Sequence, residues 1–287
     1  QNQNVILLIA AIEMMTSSHN AQFNCIMTSW IILSYILVQN GKDFWAVFFI
    51  VAGTLVKLYG IVGICFFLFS KNKMQFILSF IFWLVILFFL PIMLSSFHFV
   101  AQSYVDWYHS LTEKNAQNVI NMDGNINLSV MGLIKRILKI EVSNSSVLIP
   151  AAILYTLPFL RFDKYRNVSF RLYYLAFLLI GVVIFSSSAE SATYIIAMIG
   201  VGIWFVLSEK NAFNISLLIF ALILTSLSAT DLMPRSIKLQ LIFPYGLKAL
   251  PCTLIWFRLL SMLITKNFIR TSIFNEKKYF YNNPRLQ

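Results

Sequence analysis

The chain has 287 residues, of which 59% are hydrophobic, 16% aromatic and only 11% charged, against about 45–50% apolar and about 25% charged in a soluble domain. With a mean hydropathy of +0.77, this excludes a soluble enzyme, a disordered chain and a disulfide-stapled secreted domain, and points to a multi-spanning membrane protein. The net charge of +11 is dispersed among apolar runs, which argues against nucleic acid as a partner and for loop ends facing an anionic leaflet.

In chain order, apolar runs cover 4–15, 23–38, 44–69, 75–94, 146–160, 170–185, 192–207, 213–228 and 241–265, with a long polar stretch at 95–145. The chain opens on Gln1-Asn2-Gln3-Asn4, without a signal-peptide n-region, and a preceding N-terminal part is expected. Its Phe-, Ile-, Asn- and Lys-rich wording reads as a low-GC bacterial genome. Several runs are shorter than the ~20 residues that span a bilayer. The run 44–69 is broken at Lys57-Leu58-Tyr59-Gly60. As one helix it would hold Lys57 at the bilayer centre, at a cost of roughly 2.5–3.5 kcal/mol. As two short helices folded into a hairpin it puts Lys57 at the tip.

Charge favours the hairpin. With the tail inside, 39–43, 70–73, 161–171, 208–212 and 266–287 are cytoplasmic and hold 13 of the 22 basic residues. The longer outer stretches 57–60, 95–145 and 229–246 hold 7, and Lys248 and Arg258 fall in the last helix. The predicted fold is an all-α polytopic transmembrane bundle with short or broken helices over 1–265 and a basic cytoplasmic tail, 266–287. Its outer loop, about 95–145, carries an amphipathic interfacial helix. The expected location is a bacterial plasma membrane, multi-pass.

This topology gathers several polar motifs on the outer side. His19-Asn20-Ala21-Gln22-Phe23-Asn24 opens a helix. Capping of free amides explains one or two of these polar groups, whereas Gln22 and Asn24 also present paired donors and acceptors to sugar hydroxyls. Lys57 reads either as a snorkelling lysine or as a cation that neutralises a lipid phosphate beside Tyr59. Within 128–140, Leu133, Ile134, Ile137, Leu138 and Ile140 are apolar and Lys135, Arg136 and Lys139 basic. That segment reads as a surface helix, whose cations either anchor it or hold a phosphate. Ser188 and Glu190 belong to Ser186-Ser187-Ser188-Ala189-Glu190, a solvated turn or one that binds sugar hydroxyls. Cys25, Cys65 and Cys252 lack metal-ligand spacing and read as small core hydrophobes. No P-loop, Rossmann fingerprint, HExxH or GxSxG occurs.

The run 19–24, the following helix and Lys57-Leu58-Tyr59 together resemble glycosyltransferase family 87, whose members carry a Gly-Gln-x-Asn motif, a helix and a Lys-x-Tyr-Pro motif. Ala21 stands in place of the Gly and Gly60 in place of the Pro. Gly124-Asn125-Ile126-Asn127-Leu128-Ser129 loosely resembles an Asn-Gln-Ser-Leu region. The resemblance covers roughly 10–210 and implies a GT-C, inverting hexosyltransferase with a mannose-like sugar, a polyprenyl-phosphate-sugar donor, a lipid or glycan acceptor, membrane lipid partners and no metal or other cofactor. It implies that Lys57, helped by Lys135 or Arg136, holds the lipid phosphate, while His19, Asn20, Gln22, Asn24, Tyr59, Asn125, Ser188 and Glu190 line the substrate site. The catalytic acid of such enzymes lies in the first outer loop, expected here upstream of Gln1, and neither Glu13 nor Glu190 takes its place. A polysaccharide polymerase or ligase would need an outer loop richer in Arg and His, and a transporter would need paired broken repeats.

Overall fold

The computed structural model describes residues 2–120, 126–140 and 143–268. Those residues contain helices and no strand. The elements are α1 (Asn2–His19), α2 (Asn24–Gln39), α3 (Asp43–Val56), a 3₁₀ segment (Leu58–Phe69), α4 (Lys73–Phe89), α5 (Phe97–Ile120), α6 (Val130–Leu138), α7 (Asn144–Thr156), α8 (Val168–Ile184), α9 (Tyr194–Leu207) and α10 (Ala212–Ala221). They continue as α11 (Arg235–Ile237), a π-wound stretch (Lys238–Ile242), α12 (Phe243–Tyr245) and α13 (Ala249–Thr265).

Among the described residues, two helical stretches, Lys73–Met93 and Ala212–Ala229, are long and apolar enough to cross a membrane. Arg235–Tyr245 and Ala249–Thr265 qualify together, bent by 54°. The bend falls at Gly246, in the left-handed region with φ +61°. α4 leaves Ile77, Leu78, Ile81, Phe82, Val85, Ile86 and Phe89 exposed. So continuous an apolar face fits hydrocarbon rather than water.

The core is the pair α8 and α9, flanked by α1 on α9 and α13 on α8. Lipid tails are as apolar as leucine, so helices there associate by close packing rather than by water exclusion. Phe177 and Trp256 supply it, stacked with ring centroids 4.6 Å apart, and Tyr155 lies 5.5 Å from the Trp256 ring. On the other flank α2, α3 and the 3₁₀ segment pack on one another.

The run 44–69 is a hairpin. α3 ends at Lys57, whose extended backbone (φ −154°, ψ 124°) breaks the helix, and the 3₁₀ segment returns along α3. The two backbones nearly touch: a Cβ built on Gly60 would lie 2.5 Å from the carbonyl carbon of Gly53 and the amide of Thr54.

Two expectations are corrected. The stretch 95–145 is mostly helix rather than loop, because α5 alone takes 24 of its residues. Within α6, Lys135 and Arg136 are buried, while Ile137 and Leu138, and Ile140 just after the helix, are exposed. The cations therefore face the protein. The cause is Arg136, whose guanidinium donates to the carbonyls of Ile126 (2.7 Å) and Asn127 (3.3 Å) and so satisfies interior backbone oxygens.

The charged loop ends gather at one end of the bundle. There Arg171 donates to Gln39 and Arg161 to the carbonyls of Ile264 and Lys266. Asn167 donates to the Phe268 carbonyl (3.2 Å) and Ser70 to Asp43 (2.9 Å). The tail beyond Phe268 lies outside the described residues. The turn after α1, the hairpin tip, the end of α5 and the turn before α9 meet at the opposite end.

Candidate functional site

The site is built on how α1 ends. The Ala21 amide donates to the Ser18 carbonyl and the Gln22 amide to the Ser17 carbonyl, both at 3.0 Å. This is a Schellman closure with Ala21 in the left-handed position, at φ +49°. α2 ends the same way at Gly41, φ +71°. Closing α1 so tightly turns Gln22 and Asn24 back toward the hairpin tip.

Lys57 meets them there. Its Nζ donates to Asn24 Oδ1 (2.6 Å) and Gln22 Oε1 (3.3 Å) and lies 5.5 Å from the centre of the Tyr59 ring. Asn24 is buried and donates to Gln22 Oε1 (2.7 Å) and the Ala192 carbonyl (2.8 Å). Among the described residues, Lys57 has no carboxylate within ion-pair distance. Burial lowers the pKa of its ammonium; the Glu190 charge opposes that shift and the Lys114 charge adds to it.

Glu190 closes the far side. It accepts from Gln22 Nε2 (3.1 Å), faces Lys114 Nζ at 3.7 Å, and forms a capping box with Thr193 ahead of α9. The Tyr59 hydroxyl donates to the Ser188 carbonyl (3.3 Å), Asn118 to Ser188 Oγ (3.2 Å), and Ser187 to Asn115 (2.6 Å). A cavity of about 250 Å³ is lined by Lys57, Lys114, Tyr59, Gln22, Ser188 and Glu190. It abuts an apolar groove of about 490 Å³ between α4 and α5, and Trp107 lines both. A second cavity of about 400 Å³ lies on the other side of Gln22 and Glu190, which line it too. No group of three or more His, Cys, Asp or Glu among the described residues is placed to hold a metal ion.

The structure thus brings together Gln22, Asn24, Lys57, Tyr59, Ser188 and Glu190. Asn20 lines the second cavity but bonds back to the Thr16 carbonyl (2.7 Å). His19 is exposed at the end of α1 and lines neither cavity. Lys135 and Arg136 are both buried, Arg136 against the backbone of 126–127, and neither lines the Lys57 cavity. Asn125 lies outside the described residues. Sequence reasoning gave no site role to Lys114 or Lys248. Lys248 is 3% exposed and pairs with Glu13, itself wholly buried, at 2.7 Å; it also donates to Ser191 Oγ at 2.8 Å. The signal was present: a cation inside an apolar run marks a functional position by default.

The family model described as Glycosyltransferase family 87 matches residues 3–187. No curated protein and no solved structure matches the chain. The matched stretch runs from α1 through α8 and takes in the Gln22, Lys57 and Ser186 turns. The chain belongs to Glycosyltransferase family 87.

Proposed function

We propose that this family member is a GT-C, inverting hexosyltransferase that moves a mannose-like sugar from a polyprenyl-phosphate donor to a lipid or glycan acceptor. One observation carries the reading: Lys57 sits at the tip of an apolar hairpin, held by two amide oxygens and by no carboxylate among the described residues. Such a cation is placed to receive an anion. A phosphate in the 250 Å³ cavity would meet Lys57 and Lys114 against Glu190, the single acid among the described residues of the lining. The polyprenyl chain would continue past Trp107 into the apolar groove.

In the reaction the acceptor oxygen bonds to the anomeric carbon while the bond from that carbon to the phosphate oxygen breaks. The phosphate leaves with the electron pair, and Lys57 and Lys114 stabilise the charge that it gains. The acceptor proton goes to a base proposed to lie outside the described residues. Glu13 is sequestered by Lys248, and Glu190 is engaged by Gln22 and Thr193. The sequestered Glu13–Lys248 pair is proposed to hold Ser191, and with it the Glu190 turn, in place. The excess of Lys and Arg at the basic end supports a cytoplasmic orientation for it and, with it, the proposal that the site faces the extracytoplasmic side of a bacterial plasma membrane.

The test uses the full-length protein in nanodiscs with labelled polyprenyl-phosphate-hexose and membrane lipid extract. Label appearing in a lipid or glycan product, and lost with Lys57→Met, is the expected result. No transfer, combined with flux of a small solute across proteoliposomes, would overturn the proposal in favour of a transporter.

A further inference from the structure

The two cavities share a wall made of one side-chain contact, Gln22 Nε2 to Glu190 Oε2, and both residues line both cavities. Their charge differs. In the first, Lys57 and Lys114 face one carboxylate among the described residues of the lining, that of Glu190. In the second, each cation lining it already has its acid: Lys248 with Glu13 at 2.7 Å and Lys238 with Asp231 at 3.8 Å. What remains for a ligand in the second cavity is hydroxyl and amide chemistry, from Asn20, Gln22, Ser191 and Ser228, with the Glu190 carboxylate as an acceptor. An anion would find no uncompensated cation among the described residues of that lining. A polyol would find paired donors and acceptors.

We propose that the second cavity is the acceptor subsite and that it takes an uncharged, hydroxyl-bearing sugar headgroup. The assignment rests on the transferase reading and deepens it. An inverting transfer needs the acceptor oxygen to approach the anomeric carbon from the face opposite the leaving phosphate. Two cavities of unlike charge on either side of one side-chain contact supply that arrangement. Gln22 is then the shared residue, with one end on Lys57 and the other on Glu190.

Binding is measured on full-length protein in nanodiscs with octyl hexosides, methyl hexosides, octyl phosphate and polyprenyl phosphate as probes, so that the result does not depend on turnover. Ala229→Trp, and independently Asn20→Trp, narrow the second cavity; Leu111→Trp narrows the first. The expected pattern is crossed. The first two variants weaken hexoside binding at least tenfold and leave polyprenyl phosphate binding within twofold, which also shows that they fold. Leu111→Trp does the reverse. Binding of either hexoside supports the assignment: a preference for the octyl form identifies a lipid-borne acceptor, and equal binding a free glycan. Octyl phosphate outcompeting octyl hexoside at this cavity would overturn the proposal. So would unchanged hexoside binding in both narrowing variants. If wild-type protein binds hexosides in this crossed pattern yet transfers no sugar, the transferase reading fails while the polyol site stands.

Discussion

Replacing Lys57 by Met removes one ammonium and keeps most of the stem. In the free protein it takes the lysine donor from the buried Asn24 Oδ1, while Asn24 keeps the bonds that it donates to Gln22 and to the Ala192 carbonyl. In the donor complex it deletes a hydrogen bond between charged groups, worth about 1.5–3 kcal/mol. At about 1.4 kcal/mol per tenfold, donor affinity is expected to fall roughly 10- to 150-fold. The leaving phosphate also loses a donor, which elsewhere costs about 10²–10³ in kcat. The assay is paired: equilibrium binding of polyprenyl phosphate, and initial rates with donor and acceptor each varied while the other saturates. Acceptor KM should stay within about twofold. The pH dependence follows from the same residue. Burial lowers the Lys57 pKa, so the ammonium is lost at a lower pH than a free lysine would lose it. Donor binding is then full on the acid side and falls on the alkaline side earlier than for an exposed lysine. Lys57→Arg, which stays charged throughout, should flatten that alkaline limb even where it weakens binding. Donor affinity unchanged in Lys57→Met, or an alkaline limb that persists in Lys57→Arg, would refute the reasoning.

Other substitutions probe the scaffold. Ala21→Gly should stabilise the protein by about 1 kcal/mol, since an L residue in the left-handed region carries about 1–2 kcal/mol of strain; thermal denaturation in detergent reads it, and an unchanged or lower Tm counts against the Schellman closure. Gly60→Ala should destabilise by about 1–3 kcal/mol and reduce donor binding, because the added carbon meets backbone at 2.5 Å. Lys248→Met and Glu13→Leu should each cost about 3–5 kcal/mol by leaving one buried charge unpaired, and the double variant should recover most of that loss. Additive losses in the double variant would mean that the pair is not coupled.

What the sequence revealed followed from energetic cost. Lys57 inside an apolar run was too expensive for a straight helix, so the hairpin could be read directly. The Gln22–Asn24 cluster was too polar for a helix cap alone. The parts that stayed hidden depend on contacts between distant residues. Glu13 and Lys248 are 235 positions apart, and each looked like an isolated exception to its own helix. α5 read as loop because its polar residues are spread around the helix, and an exposed helix of that kind shows no apolar stripe. α6 showed its amphipathic pattern clearly, but a pattern does not say which face meets the protein. In water the apolar face turns inward. Here the cationic face does, since interior carbonyls need donors and the exposed apolar face fits lipid.

The two departures from the family motifs also have opposite structural meanings. Ala21 stands where the chain adopts a conformation that glycine takes without strain, and the closure forms regardless. Gly60 stands where a proline would remove a donor that is used: the Gly60 amide donates to the Lys57 carbonyl at 3.1 Å. A proline ring would also carry a Cβ into Gly53. With glycine at both 53 and 60, the returning segment lies against α3, and Lys57 is pressed toward Gln22 and Asn24 rather than out to solvent. The lysine's position therefore depends on the closeness of two backbones and not on a fixed proline kink. A carbon added at Gly60, which spares every polar residue but meets the Gly53 and Thr54 backbone at 2.5 Å, should consequently weaken donor binding as surely as a change at Gln22.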